Sequence, residues 1–282
     1  MIKISLTYTI SLFILLASTS LFAQLGEGGS SKIKKLKATK TYVVLEENNA
    51  TYNKAIQLAV NNYWKFTEFE FISKKQYITE KCELQNVSFL MKFSIESGYF
   101  EDEEIENLGI YMPDNKKCLV SAFDFIGYAN LITENEMQYY SLAVQAVNFI
   151  QNYLALGLEN NFTKVETDKV IGLYQENRID AGDHKLLLSE SEVYNDDYEH
   201  KKIKPIYNHK YDFVERFEID RAIAKRQENI LYGTLFYSLE ANIYRLFVEA
   251  KTGKIVYAKQ SKGRTFNHID LKTIKDFSSK LN

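Results

Sequence analysis

Proline is nearly missing from this chain, with 2 in 282 residues, and glycine numbers only 12. So few backbone breakers exclude collagen-like, elastic and linker-rich architectures. Cysteine is as scarce as proline, at 2, so no cysteine-dense framework holds the fold. Neither sign of charge is in excess. Lys and Arg number 35 against 37 Asp and Glu, a formal net charge of −2, and that balance carries no nucleic-acid footprint. The common catalytic signatures are missing as well. The sequence holds no phosphate-cradling loop, dinucleotide glycine motif, G-x-S-x-G, His-Glu-x-x-His or paired-cysteine zinc pattern, and Gly109, Gly127 and Gly233 stand isolated. What is abundant is apolar: 45% hydrophobic and 14% aromatic residues suffice for a full core and exclude a disordered chain.

The only strongly apolar run comes first. Lys3 precedes a stretch from about 10 to 17, and Ala23 stands before Gln24. A cation, a short apolar core and a small residue at the cut describe an export signal over 1–23, cleaved near Ala23. The run is shorter than the ~20 residues a membrane span requires, and no cysteine near the cut is available for a lipid. The mature chain is therefore expected to be periplasmic or secreted, with no transmembrane segment. The ending Leu21-Phe22-Ala23-Gln24 resembles export signals common in the Bacteroidota. Export places Cys82 and Cys118 in an oxidising compartment. They are candidates for one disulfide, and two buried free thiols are the alternative.

The chain also repeats itself. One nearly constant shift lays Val44-Leu45 over Leu186-Leu187 and Phe69-Glu70-Phe71-Ile72 over Tyr211-Asp212-Phe213-Val214. It also lays Val87-Ser88-Phe89 over Ile230-Leu231-Tyr232, Ile110-Tyr111-Met112 over Leu246-Phe247-Val248, and Leu119-Val120-Ser121-Ala122 over Ile255-Val256-Tyr257-Ala258. Shared order and chemical type, rather than identity, indicate a duplication.

Each copy reads β-α-β-α-β-β. In the first, 41–45 is a strand, and a helix over 50–64 is capped by Asn48 or Asn49. Tyr52, Ala55, Ile56, Ala59, Val60 and Tyr63 form its apolar stripe. Strands at 68–72 and 87–95 flank a short helix over 75–82. A hairpin closes the copy, from 108–112 through a turn at Asp114-Asn115 to 118–123. Its counterpart runs over 244–248, turns at Thr252-Gly253 and returns over 254–258. Helices are expected on one face of a mixed sheet. A helix over 134–158, another over 163–176 and a tail helix over 268–281, capped by Asn267, complete the reading, with the first and last each covering the copy before it. The organisation is thus an α/β (α+β) chain of two related modules: signal peptide 1–23, flexible arm 24–39, first module 40–125, helical connector 126–181 and second module 182–282.

The strand–helix–strand order and the hairpin FVEAKTGKIVYA (247–258) resemble small periplasmic α/β modules. Examples are the amino-terminal domain of TolB and the CsgG curli-secretion family; the chain is similar too to uncharacterised exported Bacteroidota proteins. The resemblance implies a non-enzymatic envelope role.

Few residues offer chemistry. All four histidines, 184, 200, 209 and 268, fall in the second copy. The shift sets His184 over Tyr42 and His209 over Thr67, just before two strands that would pair in parallel. With Asp183 beside them they are metal-ligand candidates, although ligand sites in such sheets favour the opposite, carboxyl ends of strands. The acidic run Glu101-Asp102-Glu103-Glu104 with Glu106 reads as a solvated loop tip. Among 20 tyrosines and 18 phenylalanines, Tyr139, Tyr140, Tyr207 and Tyr211 could face a partner, but strand propensity assigns most aromatics to the core. Trp64 reads as packed.

The expected function is that of a non-catalytic binding or scaffold protein of the envelope, without a cofactor. Its expected partner is another envelope or secreted protein rather than nucleic acid. The alternative is a secreted hydrolase or metal-binding enzyme with its site in the second module.

Overall fold

Residues 29–96, 104–113, 120, 124–131, 139–161, 183–193, 200–237, 243–260 and 268–281 are described by the structure, a computed structural model. A leading helix α1 (Ser30–Lys37) precedes β1 (Lys40–Leu45), α2 (Ala50–Tyr63), β2 (Phe69–Ser73), α3 (Lys74–Glu80), β3 (Val87–Glu96), β4 (Glu104–Tyr111) and β5 (Gly127–Asn130). The long α4 (Tyr139–Glu159) follows. Then come β6 (Lys185–Ser189), α5 (His200–Ile203), β7 (Tyr211–Val214), α6 (Arg216–Ala224), β8 (Ile230–Tyr237), β9 (Ile243–Glu249), β10 (Ile255–Gln260) and α7 (Leu271–Ser278). The strands form two five-stranded mixed sheets, β2-β1-β3-β4-β5 and β7-β6-β8-β9-β10. In each, the first strand pairs in parallel with the second and third, and the last three are antiparallel. The two modules share one topology, as the duplication requires.

Local chemistry explains the elements. The Asn49 side chain accepts the Tyr52 amide at 2.9 Å and caps α2, whose stripe Tyr52, Ala55, Ile56, Ala59 and Val60 is buried. Ser73 accepts the Gln76 amide at 3.0 Å and starts α3 where β2 ends. Asn86 and Asn229 take positive φ, 55° and 57°, immediately before β3 and β8. Asparagine tolerates that region better than most side chains. In the second hairpin Gly253, at φ 66°, makes the turn expected of Thr252-Gly253.

The helices do not share one face of each sheet. The chain leaves β1 outward to β2, then returns past β1 to β3. With a single crossover hand, opposite directions set the helices on opposite faces. Tyr77 of α3 accordingly packs with Phe89, Met91 and Tyr111, while α2 packs with Val43, Leu90 and Ile110 on the other side.

Strand register alters the repeat alignment. Thr41 stands opposite Phe69 and Ser88, and Leu186 opposite Tyr211 and Leu231. Leu186 therefore answers Thr41 rather than Val44, and His184 answers Thr39 rather than Tyr42. Apolar strands align by composition at several registers, but an odd slip exchanges their faces, and the ladder admits one solution. The fifth strand moves too. β5 at 127–130 pairs with β4, so the first module extends beyond 125. Val120 lies outside any strand, and the rest of the expected 118–123 strand, with the Asp114-Asn115 turn, lies outside the described residues.

Two further expectations change. From residue 30 the expected arm is the helix α1, with Ile33 and Leu36 fully buried. The tail helix is capped by Asp270, which accepts the Thr273 amide at 2.7 Å; Asn267 is outside the described residues, as are 1–28 and 163–176.

α4 is the centre of the molecule. Leu142, Ala143, Ala146, Val147, Ile150 and Leu154 belong to one core that also holds α1, α2, the first sheet, α6 and the second sheet. Phe89 and Tyr232 occupy equivalent positions, paired with Tyr42 and Tyr111 in one module and with Leu187 and Val248 in the other. Phe89 nevertheless faces the outer cluster of the first sheet, and Tyr232 faces the shared core. The modules thus turn opposite faces to α4. α4 covers the first sheet on the face that α7 covers in the second.

Candidate functional site

Both modules carry an ion pair where the central strands end. In the first, Lys74 at the start of α3 meets Glu46 after β1 at 3.0 Å. In the second, Arg216 at the start of α6 meets Glu192 at 2.6 Å. Arg216 also reaches Asp220 one turn along its own helix, Nε to Oδ1 at 3.2 Å, a contact set by i,i+4 spacing. Asp220 takes the place that exposed Ile78 holds in α3. The location has a topological reason. Connections leave β6 and return to β8 in opposite directions, opening a crevice at the carboxyl ends of these strands, where ligands of such sheets bind.

The second copy of this pair lines a cavity. A cavity of about 230 Å³ is bounded by Glu192, Arg216, Asp220 and Thr234 of the second module, Gln145 of α4, and Ala129 and Asn130 of β5. The first module forms one wall of it. The Asn130 side chain fixes that wall, donating to the Tyr237 carbonyl at 2.9 Å and accepting the Tyr237 amide at 2.7 Å. Thr234 donates to Glu192 Oε1 at 3.4 Å. Phe149 and Phe236, stacked at 5.5 Å, supply apolar lining.

Among the described residues, three buried oxygens of this group find no donor: Glu192 Oε2, Asp220 Oδ2 and Gln145 Oε1. Leaving such acceptors unmade costs about 1–3 kcal/mol each, and each calls for an explanation. Burial raises the Glu192 carboxyl above its ordinary value. The neighbouring Asp220 carboxylate adds to this, while Arg216 and the Thr234 hydrogen bond oppose it. Burial works against the Arg216 charge too, but Glu192 and Asp220 more than restore it, and its pKa is raised. Tyr237 is pushed up to about 12 by burial and by the Glu192 charge.

A carboxyl whose folded pKa is raised stabilises the fold while protonated and loses that contribution as pH rises through the folded value. Glutamine copies the protonated form. The stability of wild type minus that of Glu192→Gln is therefore expected to fall as pH rises through and above the ordinary glutamate range. Urea midpoints measured across that range check this, and a difference rising with pH would contradict it.

The expected ligand set does not come together as a metal site. His184 and His209 do stand before adjacent parallel strands. However, His184 Nε2 faces Glu249 at 3.5 Å, and the His209 ring lies against Tyr207. Asp183 joins neither in a metal-binding group, and no cluster of three or more His, Cys, Asp or Glu occurs among the described residues. Glu106 is tied to Lys92 and to the Tyr139 hydroxyl, and 101–103 lie outside the described residues. Tyr139, Tyr207 and Trp64 are buried. Cys82 sits in the turn after α3 and is disulfide-bonded; Cys118, the other cysteine of the chain, lies outside the described residues. Among the described residues no helix is long and apolar enough to cross a membrane.

Sequence reasoning missed Glu192, Arg216, Asp220 and Gln145, although one signal was present. The shift that superimposes Phe69-Glu70-Phe71-Ile72 on Tyr211-Asp212-Phe213-Val214 also places Lys74 under Arg216. A basic residue retained at one point of a divergent repeat marks the end of the central strands. Fold and cleft together define a two-module α/β protein with a charged site at the junction. No family model, curated protein or solved structure matches the chain.

Proposed function

We propose that this chain is an exported, non-catalytic binding protein of the cell envelope, holding its ligand in the cleft between its two modules. One observation carries the reading: Glu192, Asp220 and Gln145, each with a buried oxygen that lacks a donor, border one cavity at the carboxyl edge of the second sheet. A buried oxygen left without a donor costs stability, and a bound donor group relieves that penalty. A site that gains on occupancy is a binding site. The expected export signal over 1–23 puts it beyond the inner membrane, where a small metabolite or a side chain of another envelope protein is within reach.

The test uses the mature protein, residues 24–282, incubated with a cell-envelope metabolite extract and examined by native mass spectrometry. One ligand per chain is expected to be retained unchanged. Ser191→Trp, at the exposed rim of the cavity, is expected to abolish retention without altering the fold. Retention unaffected by Ser191→Trp, or no retention, refutes the cleft as the site. Conversion of the ligand to a product refutes the non-catalytic reading and favours the hydrolase alternative.

A further inference from the structure

We infer that the cleft takes a primary ammonium group on a short aliphatic stem. This rests on the cleft being a binding site and names the chemistry that it recognises. The unpartnered atoms are all acceptors: two carboxylate oxygens and one amide carbonyl oxygen, from Glu192, Asp220 and Gln145. An ammonium has three N–H donors and no acceptor, so its inventory is the complement of what the cleft lacks.

Charge narrows the choice. Two carboxylates and the permanently charged Arg216 leave one net negative charge when both acids are ionised. A single positive charge closes that balance. An anion is repelled, and a neutral polyol leaves the buried charge uncompensated. A divalent cation would meet Arg216 between its two carboxylates, and although His268 also borders the cavity, no three acidic, thiol or imidazole groups come together to hold a metal among the described residues.

The remaining lining suits the stem. Leu142, Phe149, Phe236 and Leu246 border the same cavity, and aromatic faces attract cations. At about 230 Å³ the space is below the ~300–1,000 Å³ of drug-sized pockets. It fits a short free amine or one lysine side chain of a partner.

Calorimetric titration of the mature protein separates these sources. The probes are n-butylamine for a free amine, Nα-acetyl-lysine methylamide for a side chain, and 1-butanol as a neutral match. Either amine is expected to bind, the tighter one naming the source, while the alcohol does not. Asp220→Asn and Glu192→Gln are each expected to weaken amine binding about tenfold or more, with a smaller loss for the charge-neutral Gln145→Leu. Glu228→Gln, at an exposed pair with Lys251, leaves affinity unchanged. Thermal midpoints of the variants separate lost binding from lost fold. Failure of both amines overturns the ammonium assignment, as does butanol binding equal to butylamine binding. Affinity unchanged in well-folded Asp220→Asn and Glu192→Gln overturns it too. The retention experiment with Ser191→Trp decides the broader binding reading separately.

Discussion

Phe236→Ala is expected to destabilise the whole protein by about 3–5 kcal/mol, with Trp64 in the other module reporting the same loss. Phe236 is 3% exposed and touches three parts of the fold. It stacks on Phe149 of α4, and its ring lies 5.6 Å from Tyr128 of the first sheet and 6.3 Å from Tyr244 of β9. Truncation opens a void in a core that both modules share. Trp64, the lone tryptophan, is buried at the end of α2 and donates to Thr67 at 3.0 Å, so its fluorescence reports from the first module's side of that core. Denaturant curves by Trp64 fluorescence and by far-ultraviolet circular dichroism should shift together. A Trp64 transition left in place would show that the modules unfold independently and that α4 does not join them.

Removing the bridge at Cys82 should be nearly as damaging, at about 3–4 kcal/mol in the chain-entropy model. Cys82 is disulfide-bonded, and Cys118 is the other cysteine that the chain contains, so a bridge within one chain would pair these two. It would close a loop that includes β3 and β4, the middle strands of the first sheet. The second module has no cysteine and keeps the same topology; the bridge therefore reinforces the fold without defining it. Peptide mapping of the exported protein under non-reducing conditions is expected to recover the Cys82 and Cys118 peptides linked. Neither thiol should label in urea until reductant is added. Full labelling without reductant would mean free thiols, and a covalent dimer would mean a bridge between copies. The Cys82→Ala, Cys118→Ala double variant then measures the stabilisation.

Periodicity alone determined a good part of this fold. The stripe of α2, an asparagine cap at 48 or 49, the body of α4, the hairpin around Gly253 and the order of strands in both copies follow from local residue types and from spacings of two and of three to four residues. These are local properties, legible wherever a segment half-buries itself. Register is not local. Leu186 answers Thr41 because backbone hydrogen bonds to β7 and β8 hold it there, whereas the apolar run Leu186-Leu187-Leu188 fits several alignments by composition. The faces taken by α3 and α6 follow from crossover direction, which no window of sequence contains. Burial of Ile33 and Leu36 in a lysine-rich segment depends on α4 lying beside them. The cleft is the extreme case: Gln145, Glu192, Arg216 and Asp220 sit on three separate segments and read singly as ordinary surface residues. The strand order of the second sheet joins Glu192, Arg216 and Asp220, and only the packing of α4 and β5 against its carboxyl edge adds Gln145 and walls the cavity they share, a contact between segments distant in sequence.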